Sequence, residues 1–192
     1  MEKSNKFPSE IVELPSKGLL YSEDSPLRSG KIEMKYMTAK EEDILTNQNY
    51  IERGVVIDKL LQALIVDKDI NYNDLLIGDK NALLVAARVL GYGKDYEFNY
   101  GDTKEVIDLS KLDNKEVDYK ALTGGKNEFN FTLPTTGDEL TFKLLTHGDE
   151  SKIQREITGL RKVNKDASPD LSTRLKYMII AVNGNGDTKT IR

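Results

Sequence analysis

After Gly91 the hydrophobic period of this chain drops from helical to two, before the C-terminal part turns helical again, and that drop limits the fold more than any single motif does. Before Gly91, apolar residues recur at helical spacing. Val56, Ile57, Leu60, Leu61, Leu64 and Ile65 predict an amphipathic helix over 51–66, and the Ala- and Leu-rich run from Lys80 to Leu90 predicts another. Asp79 is placed to cap that second helix, and Gly91 to end it in the left-handed conformation. After Gly91 the period drops to two. Tyr96, Phe98 and Tyr100 alternate with Glu97 and Asn99 ahead of a Gly101-Asp102 turn, so 95–109 reads as a hairpin. Phe129, Phe131 and Leu133, returning as Leu140, Phe142 and Leu144 after Pro134–Asp138, read as a second hairpin.

Two helices are expected to close the chain. Asp149 is placed to cap the first, which runs to Val163 with Ile153, Ile157 and Leu160 on one stripe. The second starts at Ser168-Pro169-Asp170, with Pro at the first helical position and Leu171, Leu175, Met178, Ile179 and Val182 buried. The expected fold is α+β: a helical N-terminal half with an extended arm, then two antiparallel β-hairpins and two C-terminal helices. The corresponding regions are 1–93 and 94–192, joined near 91–95.

The arm is Leu14-Pro15-Ser16-Lys17-Gly18-Leu19-Leu20-Tyr21, where Pro and Gly impose a sharp turn on a segment whose Leu and Tyr side chains must dock somewhere. Glu10 to Leu14 before it suits an edge strand, and the turn-rich 22–30 after it suits a loop. Ile32, Met34 and Tyr36 then alternate with Lys31, Glu33 and Lys35 as in a half-buried strand. Thr38 with Glu41 forms a capping box for a helix to about Asn47, with Ile44 and Leu45 inward and Lys40, Glu41 and Glu42 exposed. Asp74 to Ile77 reads as one further helical turn, and 111–126 as a connection.

Composition narrows the chemistry. With 192 residues, no cysteine and a net charge of −4 spread over interspersed signs, the chain has no disulfide, thiolate metal site or cysteine nucleophile. It also lacks the concentrated Lys and Arg of a phosphate-neutralising surface. No apolar run approaches the ~18 residues needed to cross a bilayer, and the N-terminus leads into no signal-type stretch, so synthesis and residence in a cytoplasm are expected.

Candidate chemical groups are each better explained by structure. His147 is the sole histidine, beside a glycine at a helix entry, and reads as a turn or capping group. Gly124-Gly125-Lys126-Asn127 lacks the leading glycine and trailing hydroxyl of a phosphate loop. Asn183–Asp187 lacks the terminal glutamate of a calcium loop. Glu41, Glu42 and Asp43 point to different sides of a helix and suit its dipole. The aromatic rows at 96, 98, 100 and at 129, 131 are interleaved with Glu and Asn rather than basic residues, which favours core packing over base stacking. Lys152, Arg155, Arg161, Lys162 and Lys165 read as a solvated face. No catalytic, cofactor-binding or metal residue is assigned, and no enzyme activity is expected.

The arm, the Lys35-Tyr36-Met37-Thr38-Ala39-Lys40-Glu41-Glu42-Asp43-Ile44-Leu45 joint, the runs Ile57–Asp67 and Asp74–Gly93, and the turn Phe142–Glu150 occur in this order. Together they resemble the baseplate hub and hub-assembly protein family of T-even-type contractile-tailed bacteriophages, from about residue 10 to the end. The resemblance implies a hub subunit, or a hub-assembly factor that brings hub components together and leaves, working through protein–protein contacts in the host cytoplasm during assembly, with the virion baseplate as the further location of a hub subunit. Its partners would be other hub proteins, with the tail tape-measure protein as a candidate client; a tail-tip cell-wall hydrolase is the alternative from another class. Many members of that family carry a Cys-x-x-Cys knuckle where this chain reads Tyr100-Gly101-Asp102-Thr103; in this departure from the pattern the family's zinc site is not carried over, and a short glycine turn can close the same hairpin without metal. On this reading Leu14, Lys17, Leu19 and Tyr21 are the candidate partner-binding residues.

Overall fold

The computed structural model describes residues 8–112, 115–122, 125–164 and 168–187. These form six α-helices and seven strands, the strands in three small antiparallel sheets, so the chain is of mixed α+β class. It divides into two compact units, Met1–Ile70 with Gly78–Thr123, and Asn71–Ile77 with Gly124–Arg192.

In the first unit β1 (Ser9–Glu13) pairs antiparallel with β2 (Lys31–Lys35), Val12 opposite Ile32 and Glu10 opposite Met34. Ile32 and Met34 are buried as their alternation requires. The far side of β2 is met by Ile65, which bridges Met34, and by the Val66 N–H, which donates to Glu33 O. Helix α1 (Ala39–Leu45) starts from Thr38 through a capping box with Glu41. Glu41 is buried rather than exposed, because capping folds its carboxylate back onto the helix start, where Lys35 Nζ reaches it at 2.7 Å. The single helix expected over 51–66 is two, α2 (Gln48–Glu52) and α3 (Val56–Leu64). Gly54, at φ 65°, turns the chain between them. Leu60, Leu61 and Leu64 of α3 enter the core.

Helix α4 (Ile77–Tyr92) begins before Asp79, which therefore lies inside the first turn instead of capping it. It also runs past Gly91. The left-handed residue that follows it is Gly93, at φ 79°, whose N–H donates to Val89 O. At Gly91 a Cβ would sit 2.6 Å from Met37 Cε, the end of a flexible side chain that can shift.

Strands β3 (Asp95–Tyr100) and β4 (Thr103–Asp108) form the expected hairpin, with Tyr96 opposite Ile107 and Phe98 opposite Glu105. The aromatic row expected to pack in a core does not. Tyr96, Tyr100, Val106 and Ile107 are all exposed. Alternation sorts side chains onto two faces of a ribbon but cannot say whether anything covers either face.

The second unit starts with a 3-10 turn, Tyr72–Asp74, and an extended Leu75-Leu76 where one helical turn was expected. Leu76 bridges Thr146, the Ile77 N–H donates to Leu145 O, and the His147 N–H to Leu75 O. Strands β5 (Phe129–Thr132), β6 (Glu139–Phe142) and β7 (Ile179–Val182) form a sheet in the order β5-β6-β7. Phe129 stacks on Phe142 at 5.5 Å. Phe131 is exposed.

Helix α5 (His147–Val163) is capped by Thr146, with Asp149 three residues on as its reciprocal partner; the hydroxyl, not the expected carboxylate, holds the cap position. Ile153 and Ile157 are buried, whereas Leu160 is exposed. Helix α6 (Asp170–Met178) ends earlier than expected, since Ile179 to Val182 pair with β6 as β7. The run Ile179-Ile180-Ala181-Val182 is rich in β-branched residues, and that preference prevails over continued helix. Pro169 precedes the first helical residue instead of occupying it. Leu171 and Leu175 are exposed while Thr173 is buried, so α6 turns inward a different side from the one its leucines mark.

Candidate interaction site

The arm of the first unit is locked from inside. Leu14, Leu20 and Tyr21 are buried, and so is Ser16. The Ser16 N–H donates to Asp79 Oδ1 at 2.9 Å, and the Ser16 hydroxyl to Asp79 Oδ2 at 2.7 Å. The Tyr21 hydroxyl donates to the same Oδ2 at 2.6 Å. Asp79 is only 1% exposed, so one carboxylate in the first turn of α4 gathers three donors from the arm in a dry setting. From the opposite side, Arg28 Nη1 donates to the carbonyls of Gly18, Leu19 and Tyr21, most closely to Leu19 O at 2.8 Å.

Two glycines let the arm close on the loop after it. Gly18 has φ 75°, and a Cβ there would lie 2.3 Å from Arg28 O; Gly30 has φ 68°, and a Cβ would meet Lys17 backbone atoms at 2.7 Å. Between these crossings Lys17 itself adopts φ 51°, unusual for a residue with a side chain. Its ammonium points outward and lies 3.7 Å from the centre of the Tyr119 ring, and the Tyr119 hydroxyl donates to Pro15 O at 3.1 Å. Around them is an open depression of about 290 Å³, lined by Glu13, Pro15, Lys17, Gly30, Lys31 and Tyr119 among others.

The four candidate residues thus divide. Leu14 and Tyr21 are committed to the interior, Leu19 is half-buried, and Lys17 is exposed at the tip. Sequence reading missed Asp79 as the latch and Tyr119 as the neighbour of Lys17. The aspartate carried a different assignment, and nothing in the sequence joins residues 119 and 17.

The other candidates take structural roles. His147 is the first residue of α5 and packs edge-on to Tyr72 at 4.7 Å. Burial works to raise the Asp149 carboxyl, but the Lys143 ammonium at 2.7 Å and the Thr146 cap outweigh it and hold the group below its ordinary value. Glu41 shows the same balance: burial opposes ionisation, while Lys35 and Thr38 prevail and keep the pKa low. Glu42 instead accepts from the Tyr92 hydroxyl at 2.9 Å. Asp43 is exposed. Among the described residues, no three His, Asp or Glu side chains converge as metal ligands would.

Gly125 is a left-handed turn residue, and Gly124 lies outside the described residues. Asn183 and Gly184, at φ 49° and 75°, make a tight turn whose Asn185 N–H donates to Val182 O. In the basic set, Arg161 pairs with Asp170 at 2.7 Å, and Lys165 lies outside the described residues. Lys152 and Arg155 line a depression of about 310 Å³ that also holds Asp74 and Asp149, so its charge is mixed.

Among the described residues no helix is long and apolar enough to cross a membrane. No family model, curated protein or solved structure matches the chain.

Proposed function

We propose that this chain is a part of the central hub of a contractile phage baseplate, either a hub subunit or a factor that assembles the hub, acting through protein–protein contacts and without catalysis. The reading rests on the ordered set of segments that resemble the T-even hub family. The observation that carries it furthest is the arm: a latch on Asp79 ties its backbone to α4 and leaves Lys17 exposed at its tip. A rigid, pre-ordered contact loses less conformational entropy on docking than a free tail would. Its partners are other hub proteins, and in the assembly-factor form of the reading the client is the tape-measure protein. The work is done in the host cytoplasm, and a hub subunit would remain in the virion baseplate.

The test is recovery of the partner complex by Lys17→Glu and Leu19→Ser variants, each first shown to unfold at the parent temperature. Loss of roughly tenfold or more in recovery with Lys17→Glu is expected for a charge reversed within a contact. If both folded variants recover partners as well as the parent, the arm serves only its own fold. Lysis of peptidoglycan by the purified chain would favour a cell-wall hydrolase instead.

A further inference from the structure

The β3–β4 hairpin is built unlike the rest of the first unit. Both strands are solvent-exposed along nearly their whole length, and among the described residues neither has a further strand beside it. A two-stranded ribbon of this kind is marginal in water and gains stability when something covers a face. One face carries Tyr96, Phe98 and Tyr100 in a row at i, i+2 and i+4. Tyr96 and Phe98 stack at 6.2 Å, and Tyr100 beyond them is 77% exposed. The only charged group opposite this row on the same face is Glu105, paired across from Phe98.

Charge decides what can cover it. Residues 95–108 contain five carboxylates and one lysine, a formal net charge of −4 on the ribbon; the register sets Asp95, Glu97, Lys104 and Asp108 on the face away from the aromatic row, Glu105 on the aromatic face and Asp102 in the turn. Lys104 is used by Glu97 at 2.5 Å, and Lys94, just outside, by Asp108 at 2.9 Å. Asp102 and Glu105 have no such ion pair among the described residues. Two copies of the ribbon laid together would oppose like charges, which disfavours self-pairing. The aromatic row already accepts one cation: at its base the Arg88 guanidinium lies 5.7 Å from the Tyr96 ring and 5.2 Å from that of Tyr92. Phe98 and Tyr100 repeat that chemistry toward the tip, with Glu105 beside them.

We propose that this face is a docking surface for a basic, extended segment of a partner protein, with Lys or Arg side chains seated on Phe98 and Tyr100 against Glu105 and apolar side chains alternating with them. Cation–π attraction and a carboxylate reward the same ligand group at the same place. The surface is separate from the arm and stands without the hub assignment.

The test uses the full-length chain and two short synthetic peptides, one alternating Lys or Arg with Val, the other alternating Glu with Val. Binding is followed by backbone amide shifts at low and high salt. The basic peptide is expected to shift the 95–108 amides and to bind at least about tenfold more tightly than the acidic one, with salt weakening it. Glu105→Lys is expected to weaken it about tenfold, and Tyr100→Ser roughly threefold or more. Glu105→Gln replaces Glu105→Lys if the reversed charge disturbs the hairpin. Equal binding of both peptides, no shift in 95–108, or unaltered affinity in the Glu105 variants overturns the proposal. So does a dimer that Tyr100→Ser disperses, or tighter binding of a single-stranded oligonucleotide than of the basic peptide.

Discussion

Asp79 gathers three arm donors into one buried carboxylate, so its loss strands three polar groups at once. Asp79→Ala leaves the Ser16 N–H, the Ser16 hydroxyl and the Tyr21 hydroxyl without their acceptor, and about 3 kcal/mol of destabilisation is expected by denaturant titration. Tyr21→Phe removes one donor and keeps the ring buried; it should cost about 1 kcal/mol. The glycines give a second comparison. Gly18→Ala meets Arg28 O as well as an unfavourable φ, whereas Gly101→Ala meets only the φ of 60° in open space. The first should cost well over the ~1–2 kcal/mol of the second; equal losses in thermal unfolding would refute the close approach. For acid stability, Asp149 and Glu41 both have folded pKa values below their ordinary ones. Their contribution is complete above the unfolded values, near 4, and is lost as pH falls through the lower folded values. Asp149→Asn should therefore lower stability at neutral pH and flatten its decline below about pH 4, measured as midpoint against pH.

The hairpin and the helices differ at the scale of the element. Amide exchange in β3 and β4 should be faster than in α4 or β2, because the hairpin's bonds are solvated on both faces while Met34, Leu83 and Ala87 are buried. Slow exchange in 95–108 of the isolated chain would mean that the ribbon is already covered. The same contrast shows what sequence can convey. The hairpin registers follow from alternation and turn chemistry, which are local, and so does the Thr38–Glu41 cap. The division of 51–66 at Gly54 and the change from α6 to β7 at Ile179 run against the apolar periodicity, and the end of α4 is a choice between two nearby glycines, Gly91 and Gly93. The burial of Glu41 and the exposure of Leu171 depend on what lies opposite, which no periodicity records. At the arm, Pro, Gly and the apolar flanks marked a bent segment that must dock, but not which side chains turn inward: Leu14 and Tyr21, candidates for partner contact, are buried. The Asp79 latch was not legible, since it joins positions 58 and 63 residues apart.

At the scale of the whole molecule, the chain enters its second unit twice, first for the short segment Asn71–Ile77 and then for Gly124 onward. Tyr72, Leu75 and Leu76 of that short segment are buried, and Leu75 and Leu76 form backbone links to Thr146 and His147. A fragment of residues 124–192 should therefore fail to unfold cooperatively by far-ultraviolet dichroism, although it contains α5, α6 and the three-stranded sheet. A sharp transition in that fragment would show the 71–77 segment to be dispensable. The Asp79 latch has a consequence in time as well as in space. Ser16 leaves the ribosome well before its acceptor does, and a separation of 63 residues corresponds to roughly 3–12 s of synthesis at ordinary elongation rates. Throughout that interval every nascent chain carries an unlatched arm with Leu14, Leu20 and Tyr21 uncovered, so a chaperone or protease that reads apolar segments meets it before the fold exists to hide it.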